Sequence, residues 1–432
     1  MSVPRPCIAM RTKLFCMNNS TTSVKLYSEI GRLRSVLLHR PGREVEAMTP
    51  ANAHHALYSD ILSMEIADRE YDLFERTLQR CTQVYYVQDL LQRLLSDARQ
   101  AENLVRASCK ADGCESLADS LLQLSPAEMA RQLIEGVPYR PGEAPSDDER
   151  YQLKPLYNLF FTRDAASCLF DHVLINSMSF DVRQRESLIY KALFEHLFGA
   201  TTLWAQRHDP SARTEGGDVM MVKSDLLCVG NGIRTNRQGI DYLLRALGSE
   251  RERMSIIVQE LPHQPDSFIH LDMVFTFLGP HACMAYEPML RGTGLFAGKH
   301  TTLLTVEGGK LTQTEYPHIL AALRSQGVDL EPVLCGNGDS WAADREQWHS
   351  GANFFSFGEN HIIGYRRNRN TIEALDHAGF NVLTAEEVAD GKCDPWSYEK
   401  AVVTFAASEL PRGGGGARCM TCPISRDDTS WD

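Results

Sequence analysis

Four short polar segments interrupt otherwise strand-like or glycine-rich sequence, and between them they hold a thiol, an imidazole and a set of carboxylates. They are Asn158–Asp164 (NLFFTRD), Glu215–Val219 (EGGDV), His270–Asp272 (HLD) and Arg412–Cys422 (RGGGGARCMTC). The last says most. Four consecutive glycines, Gly413 to Gly416, cannot hold a regular element without a large entropy loss. They describe either a mobile loop or backbone that must pass very near a ligand. Cys419 follows directly, and Arg412 and Arg418 beside it would lower a thiol pKa from about 8.5 and make it a nucleophile. The competing reading takes Cys419 and Cys422 as a C-x-x-C redox pair or half of a zinc site. Only one such pair occurs, and Cys109 and Cys114 are more widely spaced in a stretch that reads as helical, which weighs against metal.

In Ile269 to Phe275 (IHLDMVF) the two polar side chains stand two residues apart, so a strand here would point His270 and Asp272 to one face. The imidazole would then shuttle protons near neutral pH, with the carboxylate orienting it or holding a cationic substrate. A solvated strand face is the other reading. Glu215 stands at a turn whose glycines, Gly216 and Gly217, admit a close neighbour, or it belongs to an ordinary turn. Phe160 and Phe161 precede Arg163 and Asp164, which suits a pocket wall with a charged rim or a surface ion pair at a strand end. Gly230-Asn231-Gly232 and Gly336-Asn337-Gly338 lack the spacing of a phosphate loop and read as turns.

The elements that must position these segments recur as one unit, an amphipathic helix leading at once into an apolar strand. The periodicity predicts helices near 65–80, 185–198, 237–247, 314–326 and 370–378. Their strands follow near 83–87, 200–205, 255–260, 331–335 and 381–385, and Gly199, Gly248, Gly327 and Gly379 are expected to end helices in the left-handed conformation. A generic α/β fold and a pseudo-symmetric ring both suit five copies. Residues 88–148 carry no strand signal and read as an inserted helical subdomain. Within it Ser125-Pro126-Ala127-Glu128 has the form of a capping box, with Met129 and Leu133 on one face, Gly136 as the stop, and a Pro/Gly-rich linker to Glu149.

Composition removes several classes. The chain has 432 residues, 43% of them hydrophobic and 23% charged, enough to bury a full core. Its net charge of -12, with basic residues scattered, makes nucleic acid a poor partner. It has no apolar run long enough for a membrane span, and no secretory signal follows Arg5, Arg11 and Lys13, so residues 1–20 read as a tail. Twelve dispersed cysteines, many in apolar runs, read as reduced thiols and point to the cytoplasm.

In this order the four segments resemble the guanidine-modifying superfamily, and among its members the arginine deiminases. The resemblance runs from about Ser28 to Arg426 and includes SEIGRLRSVLLHRPG, GNGIRTNRQ, REQWHSGANFFSFGENHIIGYRRN and the RCMTCPISR ending. It implies a five-bladed α/β propeller of ββαβ modules, a catalytic domain over 21–432 with the helical insertion inside it. It also implies hydrolysis of L-arginine to L-citrulline and ammonia with neither metal nor cofactor. Cys419 would attack the guanidinium carbon, Asp164 and Asp272 would grip its nitrogens, and Glu215 would steady the group. His270 would protonate the departing ammonia and then activate water. Asn158, Arg183 and Arg234 would surround the substrate carboxylate, and Phe161 would face its aliphatic part.

A guanidinium ion is a resonance-stabilised, poor electrophile, so its plane must be fixed, negative charge gathered around it and a thiolate supplied. Opposing carboxylates should raise the thiol pKa until a cationic substrate lowers it again. The chain departs from the family pattern at Gly414, where a second Arg is usual in the glycine loop, and at Ala56–Asp60 (ALYSD), where an LLFDD-like segment is usual. Both changes are expected to alter substrate grip and loop closure. Alternatives are another guanidine such as agmatine or methylated arginine, an amidinotransferase, or a binding protein without turnover. Arg183 and Arg234 favour a substrate bearing a carboxylate. An isologous dimer is the default expectation for a soluble enzyme of this size.

Overall fold

The computed structural model describes residues 23–146 and 150–431, so the expected tail at 1–20 and the end of the linker at 147–149 lie outside the described residues. Among those described, five sheets repeat one arrangement: two antiparallel strands, then a helix, then a strand parallel to one of the pair. Leu33–Leu38 runs antiparallel to Cys422–Arg426 and parallel to Gln83–Tyr86, across the helix Met64–Cys81. Ala166–Leu169 and His172–Ile175 pair in the same way, followed by the helix Asp181–Leu197 and the strand Thr201–Leu203. Val219–Lys223 and Leu226–Asn231 lead through Arg237–Gly248 to Arg253–Glu260. Phe275–Gly279 and Ala282–Ala285 are joined by Glu331–Leu334. Phe355–Gly358 and His361–Tyr365 are followed by the helix Arg369–His377, Asn381–Thr384 and Ala401–Phe405. The protein is a mixed α/β fold, and no helix among the described residues is long and apolar enough to cross a membrane.

The recurring helix-then-strand units fall where the periodicity predicts them, with three corrections. Residues 314–316 are not helical: Lys310–Tyr316 is an edge strand paired with Thr301–Glu307, and the helix Ile319–Ser325 begins only after His318. Gly199, Gly327 and Gly379 do take positive φ, but Gly248 stays inside its helix, which the right-handed Ser249 ends. Glu128 does not complete a capping box: Ser125 accepts the Glu128 N–H at 3.3 Å, while the Glu128 carboxylate turns to Arg131 and Gln132. Residues 87–135 form the helices Val87–Leu94, Ala98–Asp112, Ala118–Leu121 and Pro126–Glu135.

One helix shapes the loop that matters most. Met64–Cys81 buries Ala67, Tyr71, Phe74 and Leu78, and Phe74 packs on Phe405 with centroids 5.3 Å apart. The same face carries Glu70, a buried carboxylate in an apolar contact. It accepts the backbone N–H groups of Ser408, Glu409 and Leu410, the last two at 3.0 Å, and so fixes where the glycine loop starts.

Candidate active site

Each repeat delivers one polar residue from the same place, the turn just before the first strand of its antiparallel pair. Asp164 precedes Ala166–Leu169, Glu215 precedes Val219–Lys223, and Asp272 precedes Phe275–Gly279. Asn353 precedes Phe355–Gly358, and Cys419 precedes Cys422–Arg426. All five are buried, and Cys419, Asp272 and Asn353 are bonded to one another. The Cys419 thiol donates to Asp272 Oδ2 at 3.7 Å, and the side-chain oxygen of Asn353 accepts the Arg418 and Cys419 N–H groups at 2.9 and 3.3 Å. The Asn353 amide nitrogen in turn donates to the Asp272 carbonyl at 3.1 Å.

His270 and Asp272 do not share a strand face. His270 is extended (φ -137°, ψ 160°), then Leu271–Met273 closes a single 3-10 turn before the strand begins at Phe275. Asp218 bends the chain there by accepting the Leu271 N–H at 2.9 Å. The turn sends the two side chains to different partners. His270 Nε2 lies 2.9 Å from Glu215 Oε2 and its Nδ1 3.9 Å from Asp164 Oδ1, while Asp272 meets Arg418 and Cys419. The EGGDV glycines are required by this contact, because a Cβ on Gly217 would stand 2.4 Å from His270 Nδ1 and one on Gly216 would stand 2.0 Å from the Arg163 carbonyl oxygen.

The glycine loop is likewise a close approach. A Cβ on Gly415 would lie 2.5 Å from the Phe161 ring, and one on Gly416 would lie 2.5 Å from Asn353. Phe161 therefore lies under the loop, its ring tilted against that of Phe160 with centroids 4.0 Å apart. Arg163 is no surface ion-pair partner of Asp164. It is buried and donates from its backbone to the Cys419 carbonyl at 3.1 Å and from its side chain to Arg418 O and Thr421 Oγ1.

The electrostatics follow from burial. The Cys419 thiol is pushed well above its ordinary range by burial and by the Asp272 and Asp164 charges, contrary to the lowering expected from its arginine neighbours. Arg412 pairs at the surface with Asp60, and Arg418 is already committed to Glu29 and Asp272. For His270, burial alone would depress the pKa, but the Asp164, Glu215 and Asp218 carboxylates outweigh it and raise it to about 9. Burial would raise Glu215, yet Arg234 and His270 hold it well below the usual carboxylate range. The free enzyme should therefore show no thiolate ultraviolet absorbance, as wild type minus Cys419→Ser, until the pH passes the ordinary thiol value of about 8.5. A titration step well below neutral pH would contradict this.

Asp164 Oδ1 and Asp272 Oδ1 are buried acceptors without a hydrogen-bond partner among the described residues. Such orphans are costly unless a ligand satisfies them. Asp164, Glu215 and His270 bring potential metal-ligand atoms within 4.8 Å of one another. With the imidazole protonated at neutral pH, and arginines on both carboxylates, the donor set suits a planar cation with N–H donors better than a bare ion.

The expected carboxylate-binding residues line the same centre. Arg183 Nη1 donates to Asp164 Oδ2 at 2.6 Å while Glu186 holds its other two nitrogens. Arg234 Nη1 donates to Glu215 Oε2 at 3.1 Å, and Asn158 Nδ2 donates to the Ala56 carbonyl at 2.8 Å. The two departures from the family pattern lie on facing loops, since Arg412 of the glycine loop binds Asp60 of Ala56–Asp60. Sequence reasoning missed Glu29, Asn353, Asp218 and Glu186. The available signal was positional: Asn353, like Asp164, stands two residues before a strand.

Arg418 is the hub. It donates to Asp272 Oδ2 at 2.8 Å, to Glu29 at 3.1 and 3.0 Å, and to the Val219 carbonyl at 3.0 Å. Burial raises the Glu29 pKa, but Arg418 and Arg163 outweigh it and hold it at about 2. Arg418→Met removes the hydrogen-bonded cation shared by two buried carboxylates and is expected to destabilise the fold by about 3–5 kcal/mol in urea titration. A loss below roughly 1 kcal/mol, the worth of a surface pair, would refute the hub.

The chain is similar to known proteins of one family. The sequence model of the arginine deiminase family matches residues 54–426. The arginine deiminase of Limosilactobacillus fermentum is 32% identical over 94% of this chain and 100% of its own length. That of Pediococcus pentosaceus is 31% identical over 94% and 99%. Among solved structures, the N-terminal domain of an arginine dihydrolase from the cyanobacterial ornithine-ammonia cycle, bound to product, superposes with a TM-score of 0.51. It has 16% identity and covers 91% of this chain and 97% of its own. An amidinotransferase of saxitoxin biosynthesis from Microseira wollei has a TM-score of 0.52 and 14% identity, over 95% and 99% of the chains, a likeness of fold. With the family's sequence matched across the thiol, the imidazole and the carboxylates alike, the chain belongs to the arginine deiminase family.

Proposed function

We propose that Cys419 hydrolyses the guanidinium group of free L-arginine, giving L-citrulline and ammonia. The observation that carries this reading is the pair of unpartnered buried oxygens, Asp164 Oδ1 and Asp272 Oδ1, beside the Cys419 thiol. They would accept N–H bonds from a guanidinium and hold its plane against the sulfur. The cation offsets the two carboxylate charges that keep the thiol protonated, so on binding the thiol releases its proton to solvent and the thiolate attacks the guanidinium carbon. Protonation by His270 lets ammonia leave, and a C–S bond remains in an amidino-type intermediate. Water then adds to that carbon as His270 takes one of its protons, the C–S bond breaks as the remaining hydroxyl proton passes to the sulfur, and citrulline departs with the thiol restored. Glu215 holds the imidazole, and Phe161 lies against the aliphatic chain.

Arg234 and Asn158 hold the substrate carboxylate, which agmatine lacks, whereas Arg183, whose three nitrogens go to Asp164 and Glu186, supports the guanidinium end. Arginine is also the substrate in the names of the relatives and of the dihydrolase neighbour. We read the five repeats as blades of one propeller, supported by the C-terminal strand Cys422–Arg426 pairing with Leu33–Leu38 near the start of the chain. The helices between 87 and 135 are read as an insertion in that ring. The ten described cysteines are free, which suits a cytoplasmic enzyme, and a homo-oligomer is the expectation from size. The test is one-to-one citrulline and ammonia from L-arginine, with agmatine and a methylated arginine in parallel. Turnover of an analogue alone would keep the mechanism and move the substrate.

A further inference from the structure

We infer that Phe180 is the positioning residue that makes the site selective for guanidines carrying a carboxylate. The inference rests on the assignment of Arg234 to that carboxylate. Phe180 is the N-cap of the helix Asp181–Leu197, and its ring is 40% exposed, among the few large apolar side chains so open to water. Directly against it, 4.7 Å from the ring centroid, lies the Arg234 guanidinium, in a residue only 6% exposed. The phenyl ring thus covers the arginine on its outer side. The preceding residue fixes the same pair, since the Ser179 N–H donates to Glu215 Oε1 at 3.0 Å and its hydroxyl donates to the Arg234 carbonyl at 2.6 Å.

Arg234 keeps at least one buried donor for an incoming anion. Its Nη1 is held by Glu215, whereas its Nε is buried without a partner. A guanidinium stacked on a ring keeps its plane but loses no donor, because the contact uses the π face and leaves every N–H in the plane free. Phe180 therefore fixes the arginine's plane and strips water from it while leaving Nε open. Both effects strengthen a bond to a carboxylate and add nothing for a substrate without one. No charged side chain could do the same: a carboxylate at this position would neutralise Arg234, and a cation would repel it.

The test compares Phe180→Ala, Phe180→Tyr and Arg234→Ala with the wild type, reading kcat and KM for L-arginine and the inhibition constant of agmatine. Loss of a desolvated cation–π contact should raise KM for arginine roughly tenfold in Phe180→Ala, with the effect on KM rather than kcat. The agmatine constant should stay put, and Phe180→Tyr should restore the wild-type KM. Arg234→Ala should raise KM for arginine at least as much. If Phe180→Ala weakens arginine and agmatine alike, the ring is merely structural and the inference fails. If Phe180→Ala is silent while Arg234→Ala is not, the inference fails and the carboxylate reading stands. A silent Arg234→Ala would overturn both.

Discussion

Cys419→Ser is expected to lose at least about 10^3-fold in kcat for arginine, because a serine hydroxyl in this surrounding cannot be ionised by the same means. The two carboxylates that raise the thiol pKa would push an alcohol further out of reach, and binding the cation recovers only part of that. Fold and binding should survive the change. The hydroxyl can still donate to Asp272, and neither the Asn353 bonds to the backbone nor the two open carboxylate oxygens involve the sulfur. Calorimetric titration of arginine into the variant should therefore show saturable binding without ammonia release. Residual turnover within tenfold of wild type would remove Cys419 from the nucleophile's place.

The site was legible in the sequence where chemistry imposes residue type, and illegible where geometry does. Cys419, His270, Glu215, Asp164 and Asp272 stand out because polar residues at the ends of apolar runs are conspicuous. Their mutual arrangement was not readable from local spacing. The two-residue interval in HLD has the form of a strand face, yet the bond from Leu271 to Asp218, a residue more than fifty positions away, closes a 3-10 turn instead. For Cys419 the arginine neighbours pointed to a lowered pKa and the opposing carboxylates to a raised one, and the second holds. Adjacency in sequence put Arg418 beside the thiol, whereas its charge is spent on Glu29, 389 positions away.

The fold divides along similar lines. Helices with one buried face, such as Met64–Cys81, announce themselves by period, and of the strands after them Arg253–Glu260 is a covered apolar run, whereas Gln83–Tyr86 and Asn381–Thr384 bury one residue each. Lys310–Tyr316 gave no such signal. It is an edge strand, exposed along nearly its whole length, so no apolar alternation marks it, and only its ladder with Thr301–Glu307 makes it a strand. The repeat that places Asp164, Glu215, Asp272, Asn353 and Cys419 in equivalent turns is visible only once the sheets are known. That equivalence explains how segments scattered from 164 to 419 reach one centre without any long excursion of the chain.

His270→Asn should cost about 10^2–10^4-fold in kcat, the range for loss of a placed general acid and base. In the proposed mechanism the imidazole donates to ammonia and then accepts from water, and its surroundings prepare it for the first task. With its pKa raised from 6.5 to about 9 it is protonated throughout the neutral range. The sign fixes two measurements. In the free enzyme the imidazole resonance should titrate near pH 9, and Glu215→Gln, which removes a charge 2.9 Å away, should move it toward 6.5. Because the folded value lies above the unfolded one, the charge stabilises the fold fully below about pH 6.5, and this contribution is lost as the pH rises through about 9. Stability of the wild type should therefore fall across that window more steeply than that of His270→Asn. An imidazole that titrates below neutral pH in the free enzyme would leave no proton donor for the first departure, and the assignment of that role to His270 would have to be withdrawn.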